Sequence, residues 1–319
     1  MEVSEGFEHR PVMVDEIVEL FRPVPPGLIV DATVGGGGHA RALLDALPRH
    51  CLLGMDQDEE ALVAAHDTLL GFEGRVTLRR ARFDRLKAMV NEAGDDPVIA
   101  VLFDLGVSSP QVDRPERGFS YSQDAPLDMR MDRSQSLTAA DVLNTYPVER
   151  LTSLLHDYGD ERFAGRIAGA IVAARPLTST RQLVDVIRDA IPAPARRRGG
   201  HPAKRTFQAL RIEVNNELDV LGPALDQAIE VLAPGGRCAV LAYHSGEGRI
   251  VKDRFRNAET GGCVCPPGMP CVCGARPVVR LLRRGARKPS AAEVAANPRA
   301  ESARLRAVEK LFLEPEDAA

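Results

Sequence analysis

The sequence predicts an α/β protein: a parallel sheet whose strands alternate with helices, interrupted after the fourth strand by an all-helical insert. Three observations lead there. Over the first hundred residues short apolar runs alternate with amphipathic helical segments, the pattern of parallel strands joined by crossover helices. From 112 to 203 no strand pattern remains and the apolar spacing becomes helical. The strand pattern then returns, with Pro234-Gly235-Gly236 turning into the apolar run Cys238-Ala239-Val240-Leu241-Ala242-Tyr243. The expected organisation is a first sheet segment (1–111), a helical insert suited to substrate recognition (112–203) and a second sheet segment (204–319).

The first strand is expected at 28–32, and it runs into Asp31-Ala32-Thr33-Val34-Gly35-Gly36-Gly37-Gly38-His39. An acid followed by consecutive glycines lets backbone approach a nucleotide-like ligand, since a side chain would block the turn and glycine tolerates positive φ. A helix follows near 38–47 and a second strand at 51–55, ending in Asp56-Gln57-Asp58. Asp56 lies 18 residues beyond Gly38, where a carboxylate accepts hydrogen bonds from the ribose hydroxyls of an adenosine cofactor. Two cofactors fit this outline. Gly35-x-Gly37-x-x-Ala40 matches a relaxed dinucleotide fingerprint, although four adjacent glycines satisfy many patterns at once. Asp31 tilts the choice, because a carboxylate there opposes a pyrophosphate and suits the α-ammonium of S-adenosylmethionine.

Further helices are expected near 58–70 and 84–93, with a third strand at 75–80. The fourth strand, 98–103, is apolar throughout, as a strand covered on both faces should be. It ends in Asp104-Leu105-Gly106-Val107-Ser108-Ser109-Pro110-Gln111, and loops at the carboxyl ends of such strands form the ligand crevice. In the insert, Thr138-x-x-Asp141 and Ser179-x-x-Gln182 are capping-box signatures. Leu151, Leu154, Leu155 and Tyr158 share one helical face, and Phe163, Ile167 and Ile171 another. A long helix is expected from Phe207 to Leu221, broken at Gly222-Pro223 and resumed to Leu232, with a last strand pair at 277–283 and 305–312.

Composition is that of a globular enzyme, 44% hydrophobic and 27% charged. No apolar run reaches the roughly 18 residues of a membrane span, and the acidic start Met1-Glu2-Val3-Ser4-Glu5 is unlike a secretion signal, so a cytoplasmic protein is expected. The formal charge of −4 conceals two acid-free basic blocks. One holds Arg196, Arg197, Arg198, Lys204, Arg205 and Arg211; the other holds Arg276, Arg280, Arg283, Arg284, Arg287 and Lys288. Such blocks suit a polyanion on one face as well as plain solvated surface.

Several long words now combine: His9-x-Pro11-Val12-Met13, Gly37-Gly38-His39, Asp104 through Gln111, Arg117-Gly118-Phe119-Ser120, and Pro126-Leu127-Asp128-Met129-Arg130-Met131-Asp132. Tyr158-Gly159-Asp160-Glu161-Arg162-Phe163 and the stretch His201 to Arg211 complete the set. Through them the chain closely resembles, nearly end to end, the bacterial 16S ribosomal RNA cytosine N4-methyltransferases known as the RsmH or MraW family. It departs at His244-Ser245-Gly246-Glu247-Gly248-Arg249, where that family usually reads H-S-L-E-D-R. The resemblance implies a Rossmann-like class I S-adenosylmethionine-dependent methyltransferase sheet with an inserted α-helical domain. It also implies N4-methylation of one cytosine in the decoding region of the small ribosomal subunit.

By the same resemblance the cofactor site comprises Gly37, Gly38, His39, Asp56, Phe83, Asp104 and Gln111, with Phe83 against the adenine unless it is simply a core residue. Asp104 and Ser109 are the candidate catalytic residues, because the cytosine amine needs hydrogen-bond acceptors on its protons; a serine before proline is also an ordinary turn residue. Phe119, Tyr121, Arg117 and Arg130 are candidates for stacking on a flipped base, or else parts of a structural lid. Cys51 and Cys238 read as core residues. Cys263-x-Cys265 and Cys271-x-Cys273 cluster like a metal knuckle around Pro266-Pro267-Gly268 but lack the C-x2-C spacing of familiar zinc sites. Reduced thiols without a metal are therefore expected, with a zinc site the open alternative. Three rivals stay open: a methyltransferase of DNA or protein, a non-catalytic ribosome assembly factor, and a nicotinamide-linked oxidoreductase. Open too are naked RNA against assembled subunit as substrate, and monomer against homodimer.

Overall fold

A computed structural model describes residues 11–108, 111–112, 114–196, 200–266 and 269–312. The chain divides into two compact units, Met1–Gly106 with Leu218–Ala319, and Val107–Glu217.

The first unit is built on a seven-stranded sheet of order β3-β2-β1-β4-β5-β7-β6. Its strands are β1 (Leu28–Asp31), β2 (Cys51–Asp56), β3 (Val76–Arg80), β4 (Val98–Asp104), β5 (Leu232–Ala242), β6 (Val279–Leu281) and β7 (Arg304–Lys310). The first five are mutually parallel, while β7 runs antiparallel to both β5 and β6. This is the expected doubly wound Rossmann-like sheet. The order reverses between β1 and β4, and in open α/β sheets ligands bind beyond the carboxyl ends of the strands at such a switch point.

Alternation along each strand divides the core. Val30, Leu53, Val101, Phe103, Cys238 and Val240 face one side, where they meet Leu86, Val90, Leu225, Val251 and Phe255 of the helices Leu86–Ala93, Glu217–Val231 and Ser245–Thr260. Ile29, Leu52, Ala100, Leu102, Ala239 and Leu241 face the other, against Ile17, Phe21, Leu43, Leu44 and Ala65 of the helices Val14–Phe21, Gly38–Ala46 and Glu59–Thr68. Both faces of β4 are therefore covered, as its unbroken apolar run requires.

Two local expectations are corrected. The helical segment after 204 breaks at Asn216, not at Gly222-Pro223. Asn216 takes φ 52° as the C-cap of helix Lys204–Asn215, and asparagine is among the few residues at ease there. The next helix then runs unbroken from Glu217 to Val231 with Pro223 inside it, held by burial of Leu221, Ala224, Leu225 and Ala228. Likewise Pro234-Gly235-Gly236 does not precede β5 but lies within it. Leu232 pairs with Val98 and Arg237 with Ala100, so the residues between them bulge out of the ladder.

The second unit is helical, as expected from the change of period. Helices Ala139–Thr145, Val148–Asp157, Ala164–Ala173, Thr180–Ala190 and Lys204–Asn215 bury Leu143, Leu151, Leu155, Ile167, Ile171, Leu183, Ile187, Phe207 and Leu210 together. Both expected capping boxes form, with Thr138 and Ser179 accepting from the amides of Asp141 and Gln182. The helix at 204–215 belongs to this unit, beyond the expected limit at 203, because Phe207, Leu210 and Val214 face its helices.

Candidate active site at the carboxyl ends of β1, β2 and β4

The loop after β1 is pinned before it reaches its helix. The Val34 amide donates to the Met55 carbonyl (2.8 Å) and the Gly37 amide to the Val34 carbonyl (2.8 Å). Gly37 has φ 82°, which strains any other residue. At Gly38 a Cβ would stand 2.5 Å from Cγ of Pro11, so the helix Gly38–Ala46 can start here only with glycine.

Three acids end three neighbouring strands. Asp31 is fully buried, with Oδ1 accepting from the Thr33 amide (3.2 Å). Burial, and secondarily the carboxylates of Asp104 and Asp56, raise its pKa to about 8, against the lowering effect of the Thr33 amide. Asp56 accepts from the Gly35 amide through Oδ2 (3.0 Å) and from the Asp58 amide through Oδ1 (2.9 Å). Burial raises its pKa to about 6 despite those donors. Each oxygen keeps acceptor capacity beyond its backbone donor.

Asp104 is fixed from several directions. Its amide donates to Thr33 Oγ1 (2.7 Å), and its Oδ1 accepts from the Tyr243 hydroxyl (2.7 Å). Burial, reinforced by Asp104, raises the pKa of Tyr243, which keeps that hydroxyl a donor. Oδ2 of Asp104 lies 3.5 Å from Nδ1 of buried His39, whose Nε2 is 2.9 Å from the Val12 carbonyl. A carbonyl only accepts, so Nε2 carries a proton, and Nδ1 faces Asp104. Beneath Tyr243, Glu247 Oε2 accepts from the amides of Tyr243 (2.7 Å) and His244 (3.2 Å).

Of the sequence candidates, Gly37, Gly38, His39, Asp56 and Asp104 gather at this end of the sheet. Phe83 follows β3 and sets its edge against Phe103, with centroids 6.0 Å apart and planes at 77°. It is half-buried against the apolar core. Gln111 belongs to the helical unit, where it is buried and its Oε1 accepts from the Ser108 amide (3.1 Å). Ser109 lies outside the described residues. Thr33, Tyr243 and Glu247 were missed. Pairing of β5 beside β4 brings Tyr243 to Asp104, and no local motif announces it.

Two of the candidates for base stacking are engaged inside the helical unit. Arg117 is 2% exposed and donates to the carbonyls of Arg130 (3.0 Å) and Met131 (3.3 Å), so it is an internal strut. Arg130 is committed as well, to both oxygens of Asp128 and to the carbonyls of Arg133 and Gln135. Tyr121 stacks on His201, with centroids 4.4 Å apart.

Similarity to known proteins agrees with this geometry. A family model described as the MraW methylase family matches residues 6–311. The ribosomal RNA small subunit methyltransferase H of Acidothermus cellulolyticus is 56% identical over 316 residues, covering 97% of this chain and 95% of its own. That of Heliobacterium modesticaldum is 51% identical over 311 residues, covering 96% and 99%. That of Mycolicibacterium smegmatis is 50% identical over 315 residues, covering 95% and 84%.

Proposed function

The chain belongs to the MraW methylase family, and from that premise we propose that it methylates the N4 amine of one cytosine in the decoding region of 16S ribosomal RNA. The methyl donor is S-adenosylmethionine. The observation that carries this reading is the set of acids Asp31, Asp56 and Asp104 at the ends of β1, β2 and β4, beside a glycine turn. Burial keeps the carboxyls of Asp31 and Asp56 reluctant to ionise. A cationic ligand such as the sulfonium and α-ammonium of S-adenosylmethionine favours their charged form, whereas the pyrophosphate of a nicotinamide dinucleotide offers them no such partner. The relatives' names, which specify small-subunit ribosomal RNA, support the substrate class.

Each residue has a task in this proposal. Asp31 faces the ammonium, the glycine turn at Gly37 and Gly38 lets the methionine part lie against the backbone, and Asp56 takes the ribose hydroxyls. Phe83 completes the cofactor site on this unit, and Gln111 is assigned to the cofactor on the family resemblance alone. Bound there, S-adenosylmethionine supplies an electrophilic methyl group on a sulfonium. The cytosine amine is a poor nucleophile because its lone pair is delocalised into the ring, so an acceptor for one of its protons raises its reactivity. Asp104 is that acceptor, held by Tyr243 and Thr33, and Nδ1 of His39 is the next station for the proton. Ser109 accepts from the second amine hydrogen. The helical unit, 112–203 in the sequence reading and extended to 217 here, recognises the RNA. The small ribosomal subunit is the partner, in the cytoplasm, and no described helix is long and apolar enough to cross a membrane.

The test uses the full chain, radiolabelled S-adenosylmethionine and small subunits from a strain lacking the gene. We expect label in one N4-methylcytosine of the 16S RNA, and Asp104→Asn to reduce transfer by about a hundredfold. Label on protein or DNA, or no transfer although both ligands bind, would refute the proposal.

A further inference from the structure

Between the helix Ser245–Thr260 and β6 the chain makes a loop whose two ends are locked together. Gly261, the helix C-cap at φ 63°, packs so closely on the Arg276 backbone that a Cβ would approach it to 2.3 Å. The Val278 amide donates to the Ala258 carbonyl (3.0 Å). Inside this neck there is little apolar burial to order the loop, since Val264, Met269 and Val272 are 86%, 68% and 89% exposed. Four sulfurs nevertheless converge. The Sγ atoms of Cys263, Cys265, Cys271 and Cys273 all lie within 4.8 Å of one another. The separations are 3.5 Å for Cys263–Cys271, 3.5 Å for Cys271–Cys273 and 3.7 Å for Cys273–Cys263.

These spacings suit a metal. A disulfide would need sulfurs about 2.0 Å apart. Four thiolates each about 2.3 Å from a tetrahedral zinc stand about 3.8 Å from one another by geometry. The C-x-C spacing, unpromising in the sequence, is compatible with this arrangement. In an extended chain residues i and i+2 face the same side, so each pair turns both sulfurs inward while Val264 and Val272 point out. The Val272 amide donates to Cys265 Sγ (3.4 Å), the kind of outer contact that orients a metal-ligating sulfur.

We propose that Cys263, Cys265, Cys271 and Cys273 form a structural zinc site that orders this loop ahead of the arginine-rich segment 276–288. Sulfur ligation favours zinc over magnesium or calcium, and four thiolates leave no open position for catalysis. On binding, each thiol gives up its proton to solvent. One Zn²⁺ thus replaces four protons, the site carries a net charge of −2, and no electron is transferred.

The decisive measurement is metal content of the full-length protein, purified under reducing conditions without chelator and dialysed against trace zinc. One zinc per chain is expected by plasma mass spectrometry. Cys271→Ser/Cys273→Ser should lower retained zinc by about tenfold or more while leaving affinity for S-adenosylmethionine unchanged. Cobalt added to the metal-free protein should give the intense absorption of a tetrahedral tetrathiolate site. Chelation should expose residues 262–275 to proteolysis. Zinc below a tenth of an equivalent with four thiols open to Ellman's reagent, disulfides in this loop, or iron as the bound metal would each overturn the proposal.

Discussion

Asp31 was legible in the sequence because an acid at the end of an apolar strand, just before glycines, has few structural reasons to be there. Its burial has a consequence for stability. The carboxyl has a pKa of 3.8 when free and about 8 in the folded protein, so across that window the folded chain holds a proton that the unfolded chain has lost. Stability is therefore greatest at the acid end and falls as pH rises toward 8, by about 1.4 kcal/mol per pH unit at the steepest. Asp56 adds the same sign between 3.8 and about 6. Denaturant unfolding of the ligand-free protein at several pH values should show this decline, and Asp31→Asn should flatten it between pH 6 and 8. An equal decline in the variant would assign it to other groups. Tyr243 and Thr33 were illegible for the opposite reason: each reaches Asp104 only through strand pairing, across 139 and 71 residues of chain.

At the level of elements, what reads well is what four residues decide. Thr138-x-x-Asp141 and Ser179-x-x-Gln182 both cap helices as their patterns require. A third box, with His244 accepting from the Glu247 amide, escaped because histidine is not among the usual N-cap residues. Pro223 misled because burial of its neighbours on the sheet outweighs the single hydrogen bond that proline removes. The Ser179 cap is exposed, and its hydroxyl also bonds the Asp124 side chain, so its removal reads both contacts together. Ser179→Ala should cost about 1 kcal/mol, seen as a lower denaturant midpoint for the helical signal. Gln182→Ala should cost about as much, since Oε1 accepts from the Thr178 amide (2.8 Å) and hydroxyl (3.1 Å) as well as from the Ser179 amide (3.4 Å). An unchanged midpoint in both variants would mean that this end of the helix is frayed in solution.

For the whole molecule, the order of elements was readable, while the helical unit of the structure, Val107–Glu217, is wider than the 112–203 read from the sequence. Helix 204–215 is amphipathic, and periodicity alone does not say which of two cores its apolar face will join. Charge follows the same logic. The sequence shows two basic blocks, whereas the structure divides their members by partner. Arg280 pairs with Glu309 (2.7 Å), Arg287 with Glu16 (3.1 Å) and Arg211 with Glu217 (2.8 Å), and these arginines serve the fold. Arg283 and Arg284 stand exposed on the segment between β6 and β7. If that segment meets RNA phosphates, Arg283→Ala/Arg284→Ala should weaken binding to small-subunit RNA. It should also reduce the slope of log affinity against log salt by about 1.4, two single-strand phosphate contacts' worth. Arg280→Ala should leave the slope unchanged, because its guanidinium already answers a carboxylate. Filter binding over a range of potassium chloride separates the two, and equal slopes for all three proteins would return the segment to ordinary solvated surface.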